Sequence, residues 1–136
     1  MEADPKHAEV ARSNIANAKL QDRVTLHEGK AIETLERFIA SDTEPYDFVF
    51  IDADKPSNSD YVRASLQLSR PGTLIVVDNV IRAGAVVDAS SVDPGVIGVR
   101  RMNELLANEP RIDATAIQTV GSKGWDGFAL LRVLDL

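Results

Sequence analysis

The chain has 136 residues, a length that fits one domain with its own core. Its hydrophobic content of 44%, charged content of 26% and net charge of −6 are those of a soluble globular protein, and they argue against nucleic acid as a partner because no basic stripe is present. Cysteine is absent, which excludes disulfides, thiolate nucleophiles and thiolate zinc sites and fits a reducing compartment. No stretch approaches the ~20 apolar residues of a membrane span. Met1 to His7 has neither a basic start nor an apolar run, so a signal peptide is not expected and a cytoplasmic setting is.

In chain order, Asp4-Pro5 predicts a helix start, with Asp4 as the cap and Pro5 in the first turn. Helical apolar spacing then runs to about Leu20. Arg23 to His27 alternates as a short strand, and Ala31 to Ala40 has helical spacing again. Glu44-Pro45 breaks the chain before a second strand, Tyr46 to Ile51, whose apolar run predicts burial on both faces. A helix is expected from about Asp60 to Leu68, a turn at Arg70-Pro71-Gly72, and a third strand from Thr73 to Val77. After a stretch rich in Gly, Ala, Ser and Asp, Val96 to Ala107 reads as a helix weakened by Gly98. Ile112 to Val120 and Phe128 to Val133 read as two strands joined by a turn over 121–124. Strands alternating with helices define an α/β fold with a parallel sheet, and the last two strands, with no helix between them, are expected to pair antiparallel at one edge.

Ligands in such a sheet bind beyond the carboxyl ends of the parallel strands. Ile51 runs into Asp52, and Val77 runs into Asp78-Asn79. Singly, an acid after a strand is more often a cap, and Asp-Asn is a common turn pair. Two strands delivering Asp52, Asp78 and Asn79 to one crevice is a different matter. Carboxylates brought together need a positive charge between them, and a hard divalent cation such as Mg²⁺ prefers oxygen donors of this kind. Lys55 lies within reach of the same crevice and is a candidate general base. Glu2, just before the first helix, stands where α/β nucleotide-binding folds place an acid for ribose hydroxyls. His7 and His27 have no metal-pair spacing and read as surface or edge residues.

Four blocks carry a resemblance: Glu2-Ala3-Asp4-Pro5-Lys6-His7-Ala8, Phe50-Ile51-Asp52-Ala53-Asp54-Lys55, Arg70-Pro71-Gly72 with Val77-Asp78-Asn79-Val80, and Lys123-Gly124-Trp125-Asp126-Gly127-Phe128. Together they resemble the cation-dependent O-methyltransferases typified by catechol and caffeoyl-CoA O-methyltransferases. The resemblance implies a Rossmann-like class I methyltransferase that moves the methyl of S-adenosylmethionine to a catechol-like hydroxyl. It implies Asp52, Asp78 and Asn79 as ligands of a divalent cation, most naturally Mg²⁺, and Lys55 as the base. It also implies Glu2, Ala31, Asp52 and Asp54 on the cofactor side, and a dimer. Ser57-Asn58 stands where the family often has Asn-Tyr, Ala83 where a polar residue is common, and Trp125 where tyrosine is frequent. These departures lie toward the acceptor, whose identity stays open.

The family precedes these blocks with a helical segment, a first strand and a glycine-rich cofactor loop, in a sheet of order 3-2-1-4-5-7-6. The expectation is therefore a single domain over residues 1–136 that lacks the first strand and most of the second. It would be a fragment, or be completed by another chain segment or a second copy. In that arrangement Arg23 to His27 has no neighbour, and Tyr46 to Ile51 offers an open edge. Two functions stay in view: a cation- and S-adenosylmethionine-dependent enzyme acting on a small hydroxylated acceptor, or a truncated, catalytically incompetent paralogue serving as an oligomeric binding module. A dinucleotide-dependent oxidoreductase is disfavoured because no GxGxxG follows any strand.

Overall fold

Tyr46–Ile51 forms β1 of a computed structural model that describes residues 1–122 and 124–135. Lys123, part of the expected turn and of the last motif block, lies outside the described residues. The described residues divide into two units, the first Met1–Thr43 and the second beginning at Glu44. None of their helices is long and apolar enough to cross a membrane.

In the second unit, β1, β2 (Ser69–Asp78), β3 (Ile112–Gly121) and β4 (Gly124–Val133) make one sheet of order β1-β2-β4-β3. β1 and β2 are parallel, as the helix between them requires, and β4 enters antiparallel between β2 and β3. This is the α/β class expected, and the order matches the last four strands of the family sheet. The side-chain period of two sorts the strands into faces. Ile51, Val77 and Ala129 align across the sheet, as do Ile75 and Leu131, and all five are buried. Against the sheet and each other pack α3 (Asn58–Gln67) and α4 (Pro94–Asn108), which add buried Val62, Leu66, Val99 and Met102. The opposite face differs from expectation. Phe48 is 56% and Phe50 57% exposed, so the apolar run of β1 is buried on one face only. Its apolar residues supplied no register of which face another layer covers.

Arg70-Pro71-Gly72 is not a turn before a strand but a bulge inside a longer β2. The pairing slips between Tyr46↔Ser69 and Phe48↔Leu74. Gly72, at φ +91, takes the left-handed step. Buried Thr73 closes the bulge: its hydroxyl donates to the Tyr46 carbonyl at 2.6 Å and accepts the Arg70 N–H at 3.0 Å.

α4 starts as its sequence dictates, with Asp93 capping the Gly95 and Val96 N–H groups and Pro94 in the first turn. Gly98 has a tertiary reason. A Cβ at that position would lie 2.2 Å from the Lys55 carbonyl oxygen and 2.7 Å from the Pro56 Cα. The helix can cross the one-turn 3₁₀ segment Lys55–Ser57 only where it has no side chain.

The first unit contains α1 (Pro5–Asn17) and α2 (Ala31–Ala40). The Asp4 carboxylate accepts the Lys6 N–H at 2.8 Å, confirming the cap. α1 ends earlier than expected, at Asn17, where Lys19 turns left-handed at φ 56. Arg23 to His27 is not a strand. Pairing there is a single parallel bridge, Glu2↔Glu28, because the partner segment turns into α1 within two residues and leaves no length for a ladder. His27 stacks edge-on against Phe38, ring centroids 5.0 Å apart.

Candidate active site at the strand ends

The parallel register carries β1 and β2 to a common end. Ile51 is partnered with Val77, so Asp52 and Asp78 leave adjacent strands about 5 Å apart by ordinary strand spacing. From Asp52 the chain folds into the turn Lys55–Ser57. The Lys55 stem is buried under α4, with the residue only 9% exposed, and its Nζ lies 2.9 Å from Asp52 Oδ1. The Asp52 side chain is 52% exposed, so the pair has one buried and one solvated end. Such a pair orients the ammonium rather than stabilising the fold by much.

Asp54 is engaged within its own turn. It accepts hydrogen bonds from Ser57 Oγ and Tyr61 Oη, both at 2.5 Å. Burial pushes the Asp54 carboxyl up, but the two hydroxyls outweigh it and hold it below its ordinary value. For Tyr61, burial and the adjacent Asp54 act in the same direction and the phenol is pushed up to about 12.

On the other strand, Asp78 Oδ1 accepts the Asn79 N–H at 2.8 Å, and Asn79 sits at φ 59. The loop that follows contains three consecutive left-handed residues, Arg82 (φ 54), Ala83 (φ 51) and Gly84 (φ 85). Two of these are not glycine, a costly arrangement that surroundings must enforce. Asp126 enforces it: its Oδ1 accepts the N–H groups of Ile81 at 3.0 Å, Arg82 at 2.9 Å and Gly127 at 2.9 Å. A cavity of about 650 Å³ opens beside this loop, lined by Asn79, Arg82, Asp93, Thr119 and Trp125 among others.

Glu2 and Ala31 lie in the first unit. Glu2 donates its N–H to the His27 carbonyl at 3.0 Å, and its carbonyl accepts the Gly29 N–H at 2.8 Å, which places it beside the segment leading to Ala31 at the start of α2. Its carboxylate accepts the Asp4 N–H at 2.8 Å.

The donor set at the strand ends suits a hard cation. Asp52 and Asp78 each use one carboxylate oxygen within the chain and keep a second without a protein donor among the described residues. Asn79 adds an amide oxygen. No group of three or more His, Cys, Asp and Glu side chains that could hold a metal forms among the described residues; the candidate set here is two carboxylates and one amide.

Two residues with clear tertiary roles were not given one from sequence: Asp126, which braces the loop, and Tyr61, which holds Asp54. Asp126 belongs to a motif block, which was the available signal, and Tyr61 carried none. Gly98 was noted only as a weak point in its helix, and that glycine was the signal for the crossing over Lys55. Asn58, whose amide is fully buried, has no hydrogen-bond partner for Nδ2 or Oδ1 among the described residues, and nothing in the structure explains it.

This architecture, with acids at the ends of parallel strands and a reversed β4, is that of a class I methyltransferase. The chain belongs to the O-methyltransferase family, whose model matches residues 1–133. It is 50% identical over 133 residues to the catechol O-methyltransferase of Niastella koreensis, covering 98% of this chain and 60% of that protein. It is 49% identical to the catechol O-methyltransferase of Mycobacterium tuberculosis, covering 98% and 59%. Among solved structures, the O-methyltransferase from Bacillus cereus in complex with SAH superposes with a TM-score of 0.93 at 54% identity, over 96% of this chain and 60% of that one. TomG of Streptomyces achromogenes, in complex with SAM, superposes with a TM-score of 0.94 at 46% identity, over 98% and 60%. The chain thus spans about 60% of the length of the relatives it matches.

Proposed function

We propose that this chain carries the site of an O-methyltransferase that uses S-adenosylmethionine and a divalent cation to methylate a catechol-like or other small acceptor with vicinal hydroxyls. The observation that carries the reading is the shared end of β1 and β2, where Lys55 Nζ stands 2.9 Å from Asp52 and Asp78-Asn79 follows the neighbouring strand. Family membership and relatives in complex with SAH and SAM support the cofactor.

Asp52, Asp78 and Asn79 would hold the cation, which when bound would supply the positive charge that makes an acceptor hydroxyl easier to deprotonate. Lys55 in its amine form takes the hydroxyl proton at Nζ. S-adenosylmethionine, when bound, would supply the methyl group: the deprotonated oxygen would take it, with the O–CH₃ bond forming as the S–CH₃ bond breaks and S-adenosylhomocysteine as the leaving group. The buried stem of Lys55 and its pairing to Asp52 fix where that proton is accepted, which is a positioning contribution. On the cofactor side, Glu2 would take the ribose, Ala31 would lie by the adenine, Asp54 would face the cofactor, and Asp52 would serve both cation and cofactor.

Calorimetry of the folded chain with S-adenosylmethionine and Mg²⁺, followed by mass spectrometry of catechol incubated with both, tests the proposal. Saturable cofactor binding with a methylated product is expected. A folded chain that binds neither Mg²⁺ nor cofactor would overturn it.

A further inference from the structure

We propose that Arg82 selects acceptors carrying an anionic substituent, such as a carboxylate, remote from their hydroxyls. The inference rests on the acceptor reading above and names the substrate class for that site. Asn79, the last residue of the proposed cation set, lines the same cavity as Arg82 and Trp125, whereas Asp52, Asp78 and Lys55 do not, so a ring whose hydroxyls sit at Asn79 has this cavity beside it. Its volume of about 650 Å³ is in the ordinary range for small-molecule sites. Trp125 walls one side. Its indole carbon Cη2 lies only 2.6 Å from where a Gly84 Cβ would be, so the edge of the ring abuts backbone that has no side chain, with 42% of the residue left exposed.

Arg82 is the one cation among the described residues that line this cavity. The two carboxylates that line it are already committed. Asp93 caps α4 through the Gly95 and Val96 N–H groups, and Asp126 accepts the three N–H groups of the loop and its own strand. Neither forms an ion pair with Arg82, and no hydrogen bond fixes the guanidinium to the protein among the described residues. Yet the side chain is half-buried, and its Nη2 stands 3.3 Å from the position a Gly95 Cβ would take, a point that is 3.1 Å from Asp93 Oδ1, so the Asp93 carboxylate lies near the guanidinium without forming an ion pair with it. The left-handed backbone that aims it, φ 54, is held by Asp126. A half-buried, unpaired guanidinium on a braced loop matches the planar two-oxygen geometry of a carboxylate.

Three probes separate this inference from the function it rests on: catechol, 3,4-dihydroxybenzoate and benzoate, each titrated calorimetrically into the chain with Mg²⁺ present and absent. The expected result is Mg²⁺-dependent binding of both diols, with 3,4-dihydroxybenzoate about tenfold tighter. In Arg82→Gln that preference collapses to about one. Equal affinity for the two diols in the wild-type chain, or an unchanged preference in Arg82→Gln, would overturn the role of Arg82 and leave the proposed function standing. Benzoate binding lost in Arg82→Gln, with no Mg²⁺-dependent binding of either diol, would support the anion site and overturn the proposed function. Should Arg82→Gln not fold, as judged by circular dichroism, the wild-type ratio of the two diols decides alone.

Discussion

Gly98 and Lys55 meet so closely that a single methyl group between them would overlap: the added Cβ would be 2.2 Å from the Lys55 carbonyl. Gly98→Ala is normally favourable inside a helix by about 1 kcal/mol, because alanine is the better helix former. Here the contact reverses the sign. The variant should lose about 1–3 kcal/mol as α4 lifts from the turn, in line with other overpacked sites. Urea denaturation measures this, and a stabilised Gly98→Ala would show that α4 does not rest on Lys55.

Lys55→Ala tests the base. The methyl-transfer rate should fall by about 10²-fold or more, the usual contribution of a positioned proton acceptor, with S-adenosylmethionine affinity near normal. Stopped turnover assays and calorimetry on the same preparation read the two effects. A large loss of cofactor affinity with little change in rate would remove Lys55 from the proton path.

Asp78→Ala removes one of two carboxylates from the cation set. Mg²⁺ binding and metal-dependent turnover should both be lost, by about tenfold or more in affinity. Calorimetry with Mg²⁺ alone provides a readout independent of turnover, and unaltered Mg²⁺ affinity would move the cation elsewhere.

Asp126→Ala should cost about 1–3 kcal/mol, because it leaves three N–H groups without their acceptor and releases the left-handed run over 82–84. Faster amide exchange at Ile81, Arg82 and Gly127 would locate the effect. Protection unchanged at all three would mean that the loop holds itself.

The Asp54–Tyr61 pair makes a signed pH prediction. Tyr61 is pushed up to about 12 from an ordinary value near 10, so the folded chain keeps the phenol proton longer than the unfolded chain. Its contribution is fully present below pH 10 and lost as the pH rises from 10 towards 12. Asp54 is held below its ordinary value, so its contribution is present at neutral pH and lost as the pH falls through that depressed value. Tyr61→Phe should abolish the alkaline loss and weaken the acid one. Denaturation midpoints across pH, compared between wild type and variant, check both limbs.

Much of this was legible in one dimension. Asp4-Pro5 announced α1 because a carboxylate cap and a proline need only the next three residues to act. The apolar run of β1 and the charges after it located a strand end, and the pairing of two such ends pointed to a candidate site. Arg23 to His27 read as a strand on its alternation alone, and failed because a strand exists only with a partner long enough to pair. The Arg70–Thr73 bulge was read as a turn for the same reason: composition reports a break, but the register of a neighbouring strand decides whether the break lies inside or outside the sheet.

The sequence by itself determined the order of helices and strands from Tyr46 onward, the α/β class and which acids end the strands, because caps, apolar periods and strand ends depend on residues close together in the chain. Only the tertiary structure decided that Lys55 turns onto Asp52, that Gly98 must be bare for α4 to cover it, and that Asp126, 44 residues beyond Arg82, sets the loop that aims the guanidinium. The last two of these relationships join groups far apart in sequence, and their sign depends on distances of a few tenths of an ångström that no local pattern encodes.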